Sequence, residues 1–242
     1  MAKYFNEERW IKILKKPDWY LELFDDYKNI MKQRDAVDEK TSSEIKNEFY
    51  SFFEKQVTNN NVTLGQTGPD QDAERKPIDT IVIHHSNNPS GMKLEMLNAV
   101  HLIRLYAGYY ANPTYKGEEH IKGQPIFSGH FKNDKQVFYG YHWLVRMDGS
   151  VERLLEDKNI GWHSGNWEVN CRSIGICLDN DFTDSSPSDL VISSIAKIIK
   201  ENYPQIQPQN ILGHREVKPS TTCPGNTFLT DWKEKIVKDY TK

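Results

Sequence analysis

The sequence has few cysteines and little net charge, and both shortages exclude kinds of protein. Three cysteines in 242 residues, Cys171, Cys177 and Cys223, are too few for a disulfide framework. A predicted strand lies between Cys171 and Cys177 and separates their Cα atoms by roughly 20 Å, which is beyond disulfide reach. A formal net charge of −3 gives no basic surface for nucleic acid. We therefore interpret the first two cysteines as small hydrophobic residues and only Cys223 as a candidate for chemistry.

Long hydrophobic runs are also missing from the sequence. No apolar run approaches the about 20 residues that span a bilayer. The first eight residues, MAKYFNEE, lack the apolar segment of a secretory signal. We therefore expect no membrane span, and a protein that is cytoplasmic or is released without a signal peptide.

The first part of the chain has the pattern of a small helical region. Apolar residues at helical spacing predict helices over 7–16 and 19–34, and a capping box at 41–44 predicts a third helix. Residues 58–77 are polar, rich in Asn and Gly, and free of aromatic residues, which is typical of a linker. We therefore divide the chain into a helical region (1–57), a linker (58–77) and a second domain (78–242). So short a helical region rarely sustains its own core, so we expect its helices to pack on the second domain or on another copy.

The second domain mixes strands and helices. Strands are predicted at 79–85, 173–179 and 210–213, and Asp148-Gly149 between two apolar runs predicts a hairpin. Helices are predicted at 93–108, 187–202 and 228–240, the second with Ser186 as N-cap and Pro187 at its first position. Residues 109–136 are predicted to form a long loop.

One histidine and one cysteine stand nine positions apart, at His214 and Cys223, in a segment broken by two prolines and a glycine. Such a loop can fold back on itself, and imidazole and thiolate are ligands that zinc prefers. A third ligand could come from the predicted strand that ends in His84-His85. Neighbouring side chains of a strand point to opposite faces, so only one of these two histidines can be a ligand. The pattern itself does not choose between them.

Seven short motifs follow one another between residues 83 and 225: IHHS at 83–86, GYHWLV at 140–145, DGSV at 148–151, WHSG at 162–165, SIGI at 173–176, GHRE at 213–216 and TTCPG at 221–225. In this order they resemble the zinc amidase family of N-acetylmuramoyl-L-alanine amidases (amidase type 2), which includes T7 lysozyme and the peptidoglycan recognition proteins. The resemblance covers about 78–240, and residues 1–77 match no family that we can name. It implies an α/β fold with a central mixed β-sheet flanked by helices, preceded here by the small helical region.

The resemblance also assigns roles to single residues. It implies that His84, His214 and Cys223 bind Zn²⁺, with His84 as the ligand of the pair. It implies catalytic roles for Tyr141 and Thr221, and it places His163 in the substrate cleft. Where the recycling amidases of the superfamily carry a Glu and an Asp, this chain has Cys177 and Cys223, so its metal site resembles the T7-like branch.

Other histidines and tryptophans have simpler interpretations. His142 lies on the opposite face from Tyr141 and is interpreted as structural. Trp162 and Trp167 could stack on sugars or could be ordinary core or surface residues. The remaining histidines, which are His85, His101, His120 and His130, are interpreted as ordinary residues.

These features lead to two functional hypotheses. The first is a zinc hydrolase that cleaves the amide bond between N-acetylmuramic acid and L-alanine in peptidoglycan or muropeptides. The second is a peptidoglycan-binding recognition module without catalysis. The complete ligand set and the presence of Tyr141 favour the enzyme. A zinc hydrolase acting on an unrelated amide is disfavoured by the order of the motifs.

Overall fold

The computed structural model describes residues 3–112 and 122–242. The helices are α1 (Glu7–Ile13), α2 (Trp19–Glu22), α3 (Phe24–Asp35), α4 (Glu39–Thr58), α5 (Leu94–His101), α6 (Gly108–Ala111), α7 (Trp167–Arg172), α8 (Asp189–Asn202), α9 (His214–Val217) and α10 (Lys233–Thr241). The strands are β1 (Thr80–His85), β2 (Phe131–Lys132), β3 (Lys135–Gln136), β4 (Trp143–Val145), β5 (Val151–Arg153), β6 (Ser173–Leu178) and β7 (Ile211–Gly213). Among the described residues, no helix has both the length and the apolar character needed to cross a membrane.

A mixed five-stranded sheet carries the candidate site. Its strand order is β5–β4–β6–β1–β7, with β4, β6, β1 and β7 parallel and β5 antiparallel to β4. Every residue of β1 and β6 is buried, as expected for central strands covered on both faces. Branched aliphatic side chains of β1, β6 and α8 form the core together with Phe228 and Trp232. The expected α/β fold with a central mixed sheet is therefore confirmed, and so is the helical N-terminal region.

The chain divides into two compact units. Unit 1 contains Met1–Asp70 and Lys93–Phe138, and unit 2 contains Gln71–Met92 and Tyr139–Lys242. In unit 1, Trp10 packs edge-on against Phe49, with ring centroids 5.0 Å apart, and helix α4 packs against α5. Residues 93–138, which the sequence assigned to the second domain, therefore share a unit with the N-terminal helices.

The predicted linker, 58–77, is divided between the units rather than extended between them. In unit 1, the Gly65 amide donates to the Ile126 carbonyl over 2.8 Å. In unit 2, Asp72 accepts from the Ile160 amide over 2.6 Å, and Arg75 donates to the carbonyls of Asp157 and Ser173. The polar composition of this segment suggested side chains in contact with solvent. Instead, Asp72 and Arg75 form hydrogen bonds with backbone groups.

Two helices start at other residues than the sequence suggested. The N-cap of α4 is Asp38, whose carboxylate accepts from the Thr41 amide, and not Thr41 itself. The N-cap of α8 is Ser188 rather than Ser186, because the Ser186 hydroxyl is bonded to Asp231. In both segments a second capping residue lies a few positions away, and local sequence does not rank the two.

The predicted helix over 93–108 is α5 followed by a π-helical stretch, Leu102–Ala107, and α6. The predicted long loop over 109–136 contains the short hairpin β2–β3. Residues 113–121, which belong to that loop and include His120, lie outside the described residues.

Candidate metal centre

Two adjacent parallel strands place the two candidate histidine ligands side by side. In the register of β1 and β7, Ile83 pairs with Gly213. The next residue after each of these is a histidine: His84 is still part of β1, and His214 is the first residue of α9. The two imidazoles therefore lie at the same level, with ring centroids 4.6 Å apart. Position 213 must be glycine, because a Cβ there would lie 2.6 Å from the Phe228 ring and 2.8 Å from Pro224.

A short loop returns Cys223 to the same point. The Arg215 amide donates to the Cys223 carbonyl over 2.7 Å, which joins the two ends of the loop, and the Cys223–Pro224 peptide bond is cis. The donor atoms of His84, His214 and Cys223 all lie within 4.8 Å of one another. The structure therefore brings together the three residues that the sequence singled out as ligands.

This donor set fits a zinc ion. Bonds of about 2.0 Å to nitrogen and about 2.3 Å to sulfur at a tetrahedral angle separate the two ligands by about 3.5 Å. The distance from Cys223 Sγ to His84 Nδ1 is 3.7 Å. Two imidazoles and one thiol leave the fourth position of a tetrahedron for water or substrate, which is the pattern of a catalytic site.

Hydrogen bonds at Nε2 orient both imidazoles. His214 Nε2 lies 3.0 Å from the Ser164 carbonyl oxygen, which can only accept, so this nitrogen carries the proton. His84 Nε2 lies 3.0 Å from His163 Nδ1, and His163 Nε2 lies 3.2 Å from Ser173 Oγ. If Nε2 of His84, His163 and His214 donates in each of these hydrogen bonds, the Nδ1 lone pairs of His84 and His214 are left for a metal. Such supporting hydrogen bonds are usual at protein metal sites.

Burial dominates the electrostatics of the centre. It raises the pKa of Cys223 to about 12, and the His85 amide, which donates to Sγ over 3.4 Å, partly opposes this shift. Burial also lowers the pKa of His214 and holds the pKa of His163 well below its usual range. The imidazoles of His214 and His163 are therefore neutral at pH 7, which is the state that a metal-binding imidazole needs, while the Cys223 thiol needs a cation nearby to ionise.

The predicted catalytic residues lie close to this centre. The ring centroid of Tyr141 is 5.0 Å from that of His84. Burial raises the pKa of the Cys177 thiol, and the neighbouring Tyr141 side chain has a smaller, opposing effect. Thr221 Oγ1 accepts from the Cys223 amide over 3.1 Å. The structure thus places both hydroxyls beside the proposed ligands, and their catalytic roles remain predictions.

The structure places His163 behind the centre. Its side chain is buried, and its two nitrogens face His84 and Ser173. The predicted role in the substrate cleft is untested, and the observed contacts suit a residue that orients His84. The sequence does not identify Ser173 or Ser164 as site residues, because only folding brings them into hydrogen-bond contact with His163 and His214.

The other residues discussed above have ordinary contacts. His142 accepts from the Gly175 amide and donates to the Asn159 carbonyl, as a structural histidine would. His85 accepts from the Phe182 amide over 2.9 Å. Trp167 is perpendicular to the Trp162 ring and donates to Glu74, and the residue is 40% exposed.

Comparisons with known proteins identify the family. The model of the N-acetylmuramoyl-L-alanine amidase family matches residues 74–226. The chain therefore belongs to this family, as its motifs predicted. It is 28% identical over 101 residues to the endolysin of Escherichia phage T7, an alignment that covers 40% of this chain and 64% of the endolysin.

Two solved structures match this chain at low sequence identity. The amidase LysC from Clostridium intestinale URNW is 21% identical, and the match covers 72% of this chain and 91% of LysC with a TM-score of 0.46. The Ph2119 endolysin from the Thermus scotoductus MAT2119 bacteriophage Ph2119 is 20% identical, with 69% and 87% covered and a TM-score of 0.44.

Proposed function

We propose that the protein is a zinc-dependent hydrolase that cleaves the amide bond between N-acetylmuramic acid and L-alanine in peptidoglycan or muropeptides. The observation that carries this proposal is the convergence of His84, His214 and Cys223 within 4.8 Å. Membership of the amidase family supports the choice of substrate. The reaction adds water across the amide, so the lactyl group leaves as a carboxylic acid and the peptide leaves with a free amine on L-alanine.

His84, His214 and Cys223 would hold the ion. When bound, Zn²⁺ lowers the pKa of water toward about 7 and polarises an amide carbonyl. The oxygen that becomes negative during hydrolysis needs further hydrogen-bond donors. Because Thr221 Oγ1 accepts from the Cys223 amide, its hydroxyl proton can be donated to that oxygen. The Tyr141 hydroxyl is a second donor, and it could instead carry a proton to the leaving amine.

Mass spectrometry of defined muropeptides tests this function. After incubation with the zinc-loaded protein, we expect two products, the muramyl lactyl acid and the free stem peptide, whose masses add up to the substrate plus one water. The His214→Ala variant serves as the inactive control. Muropeptides that bind but stay intact would contradict the proposal and support the recognition-module alternative.

A further inference from the structure

The short segment after His214 carries three charged side chains, and two of them form hydrogen bonds or ion pairs within the protein. Arg215 donates to the Gly225 carbonyl over 3.1 Å. Glu216 accepts from the Gly213 amide and pairs with Lys233 Nζ at 2.7 Å. Within residues 3–112 and 122–242, Lys218 has no carboxylate partner. One lysine cation beside the candidate centre is therefore left for an external anion.

The backbone of Lys218 is fixed relative to the centre. Its amide donates to the His214 carbonyl over 2.8 Å, and its own carbonyl accepts from the Thr221 amide over 3.2 Å. Lys218 thus lies between a proposed metal ligand and a proposed catalytic residue, with a hydrogen bond to each. A side chain anchored in this way loses less freedom on binding than one on a mobile loop.

The side chain of Lys218 extends over Gly165. A Cβ built at Gly165 would lie 3.0 Å from Lys218 Cδ and 3.1 Å from Nζ, so glycine leaves the space that the lysine occupies. Gly165 follows Ser164, whose carbonyl oxygen is bonded to His214 Nε2 at 3.0 Å. The ammonium group therefore lies next to the segment that orients His214, and Lys218 is exposed to solvent.

We propose that Lys218 is a specificity-determining residue that binds a carboxylate of the stem peptide close to the scissile amide. This inference rests on the proposed function. In peptidoglycan, L-alanine is followed by γ-linked D-glutamate, whose α-carboxyl group is a free carboxylate in some cell walls and a carboxamide in others. An ammonium group attracts the carboxylate but gains much less from the neutral carboxamide.

Two muramyl peptides that differ only at this carboxyl group test the proposal. For the zinc-loaded wild type, we expect kcat/KM to be about fivefold higher for the carboxylate peptide, the scale of one solvent-exposed ion pair. In Lys218→Met this ratio should fall to about one, whereas Lys218→Arg should keep it. Lys200→Met removes the same charge from the exposed end of α8 and should leave the ratio near five.

A ratio near one in the wild type, or an unchanged ratio in Lys218→Met, would overturn the proposal. Failure of the proposed function has a different signature, because the wild type would then cleave neither peptide. In that case the dissociation constants of the two peptides, measured by calorimetry for the wild type and Lys218→Met, decide the role of Lys218 by the same ratio.

Discussion

At each candidate imidazole ligand, one hydrogen bond decides which ring nitrogen carries the proton. Ser164 and His163 occupy Nε2 of His214 and His84, so both rings would use Nδ1 to bind a metal. The second ring nitrogen of His163 is in turn hydrogen-bonded to Ser173. The ligands are therefore oriented by residues that a list of ligands alone would omit.

Tyr141 gives the sharpest test of catalysis at a single residue. Tyr141→Phe removes the hydroxyl but keeps the ring beside His84, so the variant should fold and bind zinc. We expect kcat/KM on muropeptides to fall about 10²-fold or more, the scale of losing one oxyanion donor or proton carrier. Tyr240→Phe is the matched control, because it removes a hydroxyl that donates to the backbone carbonyls of Pro204 and Ile206. Equal turnover in the two variants would remove Tyr141 from the mechanism.

His101 predicts a pH dependence of stability. Burial, with a smaller effect of Arg104, lowers its pKa from 6.5 to about 3. Between these values the unfolded chain binds more protons than the folded one, so stability falls as the pH drops below about 6.5. From pH 7 to pH 5 the wild type should lose about 2 kcal/mol through this residue. Urea unfolding of His101→Gln should show a correspondingly smaller loss, and an equal loss would rule out this histidine as the cause.

At the scale of the element, the register of three parallel strands builds the site. β1 pairs with β7 so that His84 and His214 are neighbours, and with β6 so that His84 is opposite Cys177. Gly175 of β6 leaves room for the His163 ring, since a Cβ there would lie 2.8 Å from its Cγ and Cδ2.

Gly175→Ala therefore tests the support behind His84. The added methyl group should push the His163 ring away from its partners and lower the zinc affinity of the folded protein by about tenfold, the lower end for loss of a supporting residue. Competition with a chromophoric chelator measures this affinity. Gly108→Ala should leave it unchanged, because the nearest atom to the added methyl group, the Ile103 carbonyl oxygen, is an ordinary 3.5 Å away. Equal zinc affinities of the two variants would show that His163 does not support the ligand.

Much of this architecture could be predicted from the sequence, for a physical reason. Buried strands such as β1 and β6 are apolar runs, and His214 and Cys223 are close enough along the chain to be recognised as a pair. The sequence pattern alone could not choose between His84 and His85, because both end the same strand. It also could not find Ser173 or Lys218, whose roles depend on residues far away in the sequence. The π-helical stretch after His101 departs from the α-helical spacing on which the prediction relied.

At the scale of the whole molecule, the N-terminal helices share unit 1 with residues 93–138. Leu97 and Val100 of α5 are buried in the full chain, and α4 packs against this helix. We therefore expect residues 3–58 and α5 to stabilise each other, because a helical region this short rarely keeps a core of its own.

A variant that lacks residues 1–70 tests this support. Removal of α4 exposes apolar side chains of α5, so we expect a lower melting temperature and stronger binding of a hydrophobic dye. Calorimetry and dye fluorescence, compared with the full chain, measure both effects. A truncated protein that stays soluble, equally heat-stable and fully active on muropeptides and whole sacculi would show that these helices do not support the rest of the protein.

The zinc content of the purified protein tests the central claim most directly. Elemental analysis should find about one equivalent of zinc per chain in the wild type, bound by His84, His214 and Cys223. His214→Ala should lose most of this metal, because two ligands that remain hold it much less tightly. Full retention of zinc in His214→Ala would contradict the assignment of the metal centre.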